Sequence, residues 1–208
     1  MRLAIAIKSC HKYAAKAQAC RETWVQDVRD WADYFFLLGQ PTKGNQPGDA
    51  LLCEVSDAYA DLAPKILCSC QYALNSNIDR MFVCDDDTYV RADRLYMASK
   101  QTEDYVGYIR TGGLDWNGNI PYAQGSAYWL SARAMEYIVA AHAEMRPCRV
   151  EDGSVGRALD GKVALTHDRR YEPGPYPQPR PSHENTLITT HKVSPELMRR
   201  FYREDRQQ

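Results

Sequence analysis

The sequence predicts an α/β layered fold, a sheet covered by helices, on three observations. Short apolar runs alternate along the chain with segments of helical spacing, the order that builds strands joined by crossover helices. The 208 residues are enough for one domain with a sizeable core, and no internal repeat marks a second one. Hydrophobic content of 44% and charged content of 25% exclude disordered and fibrous classes. A net charge of −1 selects no class of partner.

In chain order, residues 3–8 (Leu-Ala-Ile-Ala-Ile-Lys) read as a buried strand. A helix is predicted over 13–28. Residues 33–38 form a second strand, stopped by Gly39. A polar Gly/Pro loop covers 41–49, and a short strand 51–55. From 57 to 74, Leu62, Ile66, Leu67 and Leu74 have helical spacing, and Pro64 inside that pattern predicts a kink or restart. Residues 81–84 (Met-Phe-Val-Cys) are a buried strand, 91–100 a helix and 105–109 a strand. A Gly/Asn-rich loop over 110–119 carries Trp116. An apolar, aromatic segment at 125–131 precedes a helix over 132–142, and 151–159 is a loop leading into a short helix. Pro173, Pro175, Pro177, Pro179 and Pro181 make 169–186 a loop or polyproline arm. Residues 187–191 are a last strand. The C-terminal segment 195–208 is a helix with Pro195 suited to its first turn.

The seven cysteines have neither metal-ligand nor disulfide-framework spacing and are expected as free thiols. Residues 3–7 are too short for a signal h-region and run into Lys8; no stretch could span a membrane. A cytoplasmic location is expected, with no membrane and no obligate protein partner.

Chemistry concentrates at Asp85, Asp86 and Asp87, directly after a buried run. Three adjacent carboxylates repel unless they are solvated or meet a cation. Ligands of open α/β sheets bind beyond the carboxyl ends of the strands, and there a hard ion such as Mn²⁺ or Mg²⁺ is a natural partner. On these residues alone, a solvated acidic turn capping the next helix serves equally well. Lys8 and Ser9 fall at a second predicted strand end and His191 at a third.

Five segments, in order, resemble glycosyltransferase family 31, the β3-galactosyltransferase, β3-N-acetylglucosaminyltransferase and fringe-like enzymes. They are Arg21-Glu22-Thr23-Trp24, the run from Asp57 to Lys65, Asp85-Asp86-Asp87-Thr88-Tyr89-Val90, the run from Pro121 to Ser131, and Glu151-Asp152 with Gly156. The resemblance covers nearly the whole chain. It implies a single GT-A-like (Rossmann-like) domain, a mixed sheet flanked by helices. It also implies an inverting, Mn²⁺- or Mg²⁺-dependent transfer of a hexose from a UDP-sugar donor to an acceptor hydroxyl.

On that resemblance Asp87 is a metal ligand, Asp85 a metal or ribose contact, and His191 completes the ion, with His183 its competitor. Lys8, Ser9, Arg21, Lys65, Asp86 and Gly125 are donor-site candidates. Arg21 and Lys65 serve equally as ion-pair partners of Glu22, Asp57 or Asp61. Trp116 is a sugar platform or a loop anchor, and Trp24 a core residue. Asp152 is the candidate general base, with Glu151 orienting it or capping the helix; both also fit as acids at a helix N-terminus. Gly153 and Pro64 depart from the family pattern, and the sequence shows no membrane anchor, stem or lumenal cysteine pattern. The acceptor therefore stays open, in a bacterial or viral setting. A saccharide or small molecule is the first reading. A hydroxymethylated base in DNA is the alternative, motivated by Arg169, Arg170, Arg180, Lys192, Arg199, Arg200, Arg203 and Arg206 interleaved with Tyr171, Tyr176 and Tyr202, although Glu196, Glu204 and Asp205 offset much of that charge. A non-catalytic sugar-nucleotide or glycan-binding module is the further alternative.

Overall fold

A computed structural model describes residues 1–40, 48–112, 118–146, 150–173 and 186–207. Leu3–Lys8 (β1) is buried at every position, which its unbroken apolar run requires of a strand covered on both faces. Asp33–Gly39 (β2) and Arg80–Asp85 (β4) flank it in parallel, and Ala50–Cys53 (β3) pairs in parallel with β2. Tyr122–Ser131 (β7) runs antiparallel to β4, Tyr105–Arg110 (β6) antiparallel to β7, and Leu165–His167 (β8) parallel to β6. Among the described residues the sheet order is β3-β2-β1-β4-β7-β6-β8. This is the mixed sheet that the sequence implies.

Helices cover both faces. Ala14–Glu22 (α1), Val25–Val28 (α2), Ala92–Ala98 (α4) and Pro195–Asp205 (α7) close one core, where Ile5, Ile7, Trp24, Phe82 and Trp129 meet. Trp24 is a core residue, as its sequence context indicates. Leu62–Asn75 (α3), Ala132–Ala140 (α5) and Glu151–Leu159 (α6) close the other, over Ala4, Ala6, Leu37, Val83 and Leu130.

Several expected elements are redrawn. The helix over 13–28 breaks at Thr23, which has φ −124° and ψ −120°. The Thr23 hydroxyl donates to the Ala19 carbonyl at 2.6 Å, the local bond that competes with helix continuation. The helical segment restarts at Leu62 after a 3₁₀ turn at Tyr59–Asp61, and Pro64 lies in the first turn of α3, where its missing N–H would have had no helical partner. Residues 125–131 are the second half of β7, and α6 begins directly at Glu151. Strand β8 had no sequence signal, being three residues long and only half-buried.

Residues 187–191 are not a strand of the main sheet. Only Thr189–Thr190 (β9) is extended, and it pairs antiparallel with Tyr89–Val90 (β5) in a separate ribbon. This ribbon positions the site. It starts two residues after Asp87, returns the chain to it, and is closed by a bond from the Val193 N–H to the Asp87 carbonyl at 2.9 Å. Lys192, at φ 58°, turns the backbone there.

Candidate active site

A cleft of about 570 Å³ opens beyond the carboxyl ends of β1 and β4; Lys8, Lys16, Lys65, Asp85, Asp86, Asp87 and His191 are among its walls. Strand β4 delivers Asp85, and the turn after it delivers Asp86 and Asp87. The three carboxylates take different environments. Asp86 turns inward, 4% exposed, and accepts from the Ser9 hydroxyl at 2.7 Å. Burial pushes its carboxyl up to about 6, against the opposing pull of Ser9 and Lys16. Asp85 and Asp87 face the cleft with His191.

One atom each from Asp85, Asp87 and His191 can be chosen so that all lie within 4.8 Å of one another. His191 Nδ1 is 3.2 Å from Asp87 Oδ1, 3.8 Å from Asp85 Oδ2 and 3.2 Å from the Thr88 hydroxyl. Burial lowers the His191 pKa although both carboxylates pull it up, which favours the neutral ring. A neutral imidazole against two carboxylates is a set of Lewis bases that a cation reconciles. Asp87 Oδ1 is buried and accepts no hydrogen bond. Two carboxylate oxygens and an imidazole nitrogen thus fit a hard divalent ion such as Mn²⁺ or Mg²⁺.

Lys8 joins this group to the next. Its ammonium lies 3.1 Å from Asp85 Oδ1 and donates to Glu151 Oε2 at 2.7 Å and to the Gly125 carbonyl at 2.6 Å. Burial alone would lower the Lys8 pKa; the charges of Asp85 and Glu151 outweigh it and raise it. Gly125 is glycine for a visible reason: a Cβ there would stand 2.8 Å from Glu151 Oε2 and 3.1 Å from Lys8 Nζ.

Asp152 stands on the other side of Gly125. Its Oδ2 accepts from the Gly125 N–H at 3.0 Å and its Oδ1 from the Gly153 N–H at 2.9 Å. Burial raises its pKa above the ordinary carboxylate value, against those hydrogen bonds and Lys8. Of the two roles expected of Glu151, capping is not seen: it is 4% exposed and turned inward onto Lys8 and the Tyr128 hydroxyl, and makes no cap bond to α6.

Arg21 does not reach the cleft. Its guanidinium makes a two-pronged pair with Asp49, at 2.7 and 2.8 Å, and lies 4.2 Å over the Phe36 ring. Asp49, not Glu22, Asp57 or Asp61, is its partner. Lys65 lines the cleft but is 1% exposed, donating to Asp57 Oδ1 at 2.6 Å and the Ser9 carbonyl at 3.0 Å. Trp116 and His183 lie outside the described residues. Sequence reasoning missed Lys16, whose ammonium is 2.9 Å from Asp87 Oδ2. The available signal was spacing: Lys8, Lys12 and Lys16 recur every fourth residue from the end of β1 into α1.

Among the described residues, four of the eight C-terminal basic side chains are paired within the chain: Arg199 with Glu22, Arg206 with Asp27, Arg200 with Glu204 and Arg170 with Asp168. Arg180 and Tyr176 lie outside the described residues. No helix among the described residues is long and apolar enough to cross a membrane.

No protein-family model matches the chain. It is 28% identical over 236 residues to β-1,3-galactosyltransferase 6 of Mus musculus, an alignment covering 94% of this chain and 71% of the mouse protein. It is 25% and 26% identical to two hydroxyproline O-galactosyltransferases of Arabidopsis thaliana, spanning only 28% and 27% of their lengths. The structure is similar to a glycosyltransferase involved in glycosylation of the major capsid of PBCV-1, with a TM-score of 0.61, 10% identity, and coverage of 98% of this chain and 100% of that one. It is also similar to the galactosyltransferase LgtC, with a TM-score of 0.54 and 12% identity over 92% of this chain and 87% of LgtC. The chain has a GT-A-type fold, and its motifs and these relatives are consistent with a resemblance to glycosyltransferase family 31.

Proposed function

We propose that the protein is an inverting, metal-dependent hexosyltransferase that moves a hexose from a UDP-sugar to the hydroxyl of a saccharide or small molecule. One observation carries the reading: Asp85, Asp87 and His191 converge at the mouth of a cleft whose other walls are lysine-rich. The three relatives named above are galactosyltransferases by description, which supports UDP-galactose as the leading donor. A hydroxymethylated base in DNA stays the second reading and is the less favoured one, because Arg170, Arg199, Arg200 and Arg206 of the C-terminal basic set pair with acids of this chain.

Asp85, Asp87 and His191 would hold the ion, and an ion so held neutralises charge on a diphosphate leaving group. The remaining chemistry belongs to this chain's residues. Asp152 takes the proton of the acceptor hydroxyl, whose oxygen attacks the anomeric carbon. The bond from that carbon to the donor's diphosphate oxygen breaks, and UDP departs with the electron pair. A base with a raised pKa suits this role, because it binds the transferred proton more firmly than an ordinary aspartate. The Gly125 and Gly153 N–H groups fix its orientation. Lys8 and Glu151 hold the base-bearing end of α6 beside the acidic cluster.

The test is a donor panel of UDP-galactose, UDP-glucose and UDP-N-acetylglucosamine with Mn²⁺ and pooled acceptors, scored by UDP release. Acceptor-dependent release from at least one donor is expected. Tight binding of UDP and Mn²⁺ with no release from any donor contradicts the proposal and leaves a binding module.

A further inference from the structure

Granting the reading of the cleft as a nucleotide-sugar site, we infer that Lys16 is a ligand of the donor's diphosphate, held against Asp87 until the donor arrives. Of the four lysines that line the cleft, Lys12 is exposed and lies 5.9 Å from the centroid of the Tyr13 ring, paired with none of Asp85, Asp86 and Asp87. Lys8 donates to the Gly125 carbonyl and Glu151, pairs with Asp85 at 3.1 Å, and its side chain is 3% exposed. Lys65 is 1% exposed and committed to Asp57 and the Ser9 carbonyl. Lys8 cannot turn to a ligand without leaving Glu151 buried and uncompensated, and Lys65 cannot without giving up its pair with Asp57.

Lys16 differs on each count. It is 29% exposed and makes one close contact among the described residues, to Asp87 Oδ2; Asp86 Oδ1, at 3.9 Å, is beyond hydrogen-bond reach. Its ammonium lies 4.5 Å from the centroid of the Tyr13 ring, which steadies the side chain at the edge of the cleft. Asp87 has two oxygens with separate roles: Oδ1 faces His191, and Oδ2 holds Lys16. An ion on the Oδ1 side and an ammonium on the Oδ2 side are neighbouring positive charges on one carboxylate. They repel each other until an anion arrives that both can bind. A diphosphate meets that need, taking two N–H donors from Lys16.

This geometry makes opposite demands on two affinities. Removing Lys16 takes a positive neighbour from the ion and a partner from the diphosphate. In Lys16→Met, Mn²⁺ alone should bind about as tightly as to the wild type or several-fold tighter. UDP measured in saturating Mn²⁺ should bind about tenfold or more weakly. Lys16→Arg should recover most of the UDP affinity.

Mn²⁺ titration followed by electron paramagnetic resonance, and UDP titration by calorimetry with Mn²⁺ present, read the two affinities separately, with melting curves confirming the fold. Unchanged UDP affinity in Lys16→Met overturns the inference. So does parallel loss of Mn²⁺ and UDP binding, which would make Lys16 a support for Asp87. A wild-type protein that binds no UDP in Mn²⁺ overturns the reading of the cleft itself, and this inference with it.

Discussion

Asp152 and Glu151 are adjacent carboxylates with divergent fates. Position in α6 sends Glu151 inward to Lys8 and Tyr128, while Asp152 stays half-buried beside Gly125. Replacing Asp152 by Asn keeps the shape and removes the proposed base. Turnover should fall by roughly two to four decades, with UDP affinity little changed. Near-normal turnover in Asp152→Asn would place the base elsewhere. The pH profile gives a second reading. The pKa of Asp152 is raised, so its carboxylate takes up a proton at higher pH than a free aspartate does. On acidification kcat/KM should therefore decline while an ordinary carboxylate is still ionised, with a slope of one proton, and Asp152→Asn should lack that limb. The acidic triplet was legible in the sequence because three carboxylates in a row demand an explanation. The inward turn of Glu151 was not, since only the packing of Lys8 and Tyr128 decides it. Lys16 was equally hidden, because the spacing of Lys8, Lys12 and Lys16 does not say which of them meets Asp87.

Among the elements, the loop leading to α3 is tied by one side chain. Asp57 accepts from the His11 N–H, the Gly39 N–H and Lys65, each at 2.6 Å, and so joins the turn after β1, the end of β2 and α3. Burial would raise the Asp57 pKa; these bonds outweigh it and lower it. Asp57→Asn leaves the Lys65 charge buried without its counterion, a loss of about 3 kcal/mol. A group with a depressed folded pKa stabilises fully above its unfolded value, about 4, and loses that contribution as the pH falls through the folded pKa. The stability difference between wild type and Asp57→Asn in urea unfolding should therefore be large at pH 7 and shrink near pH 3. An equal difference at both values would show that shape, not charge, matters at this position. The long apolar strands and the terminal helix were legible from periodicity and from Pro195. The short β5–β9 ribbon was not, because two-residue strands carry no periodicity, yet it is this ribbon that returns His191 to Asp87.

For the whole molecule, motif order and strand–helix alternation were enough to indicate the mixed sheet, while its strand order came only from the structure. The two covered faces leave the carboxyl ends of β1 and β4 as the place where cleft, acids and lysines coincide. The central claim is that transfer runs at Asp85, Asp87 and His191 with a divalent ion. Its most direct test is UDP release from UDP-galactose and acceptor by metal-stripped protein, with Mn²⁺ added back, in the wild type and in Asp87→Asn. The account predicts no release in EDTA, restoration by Mn²⁺ or Mg²⁺ in the wild type, and little restoration in Asp87→Asn. Full activity of the wild type in EDTA, or an Asp87→Asn protein restored as readily as the wild type, would contradict it.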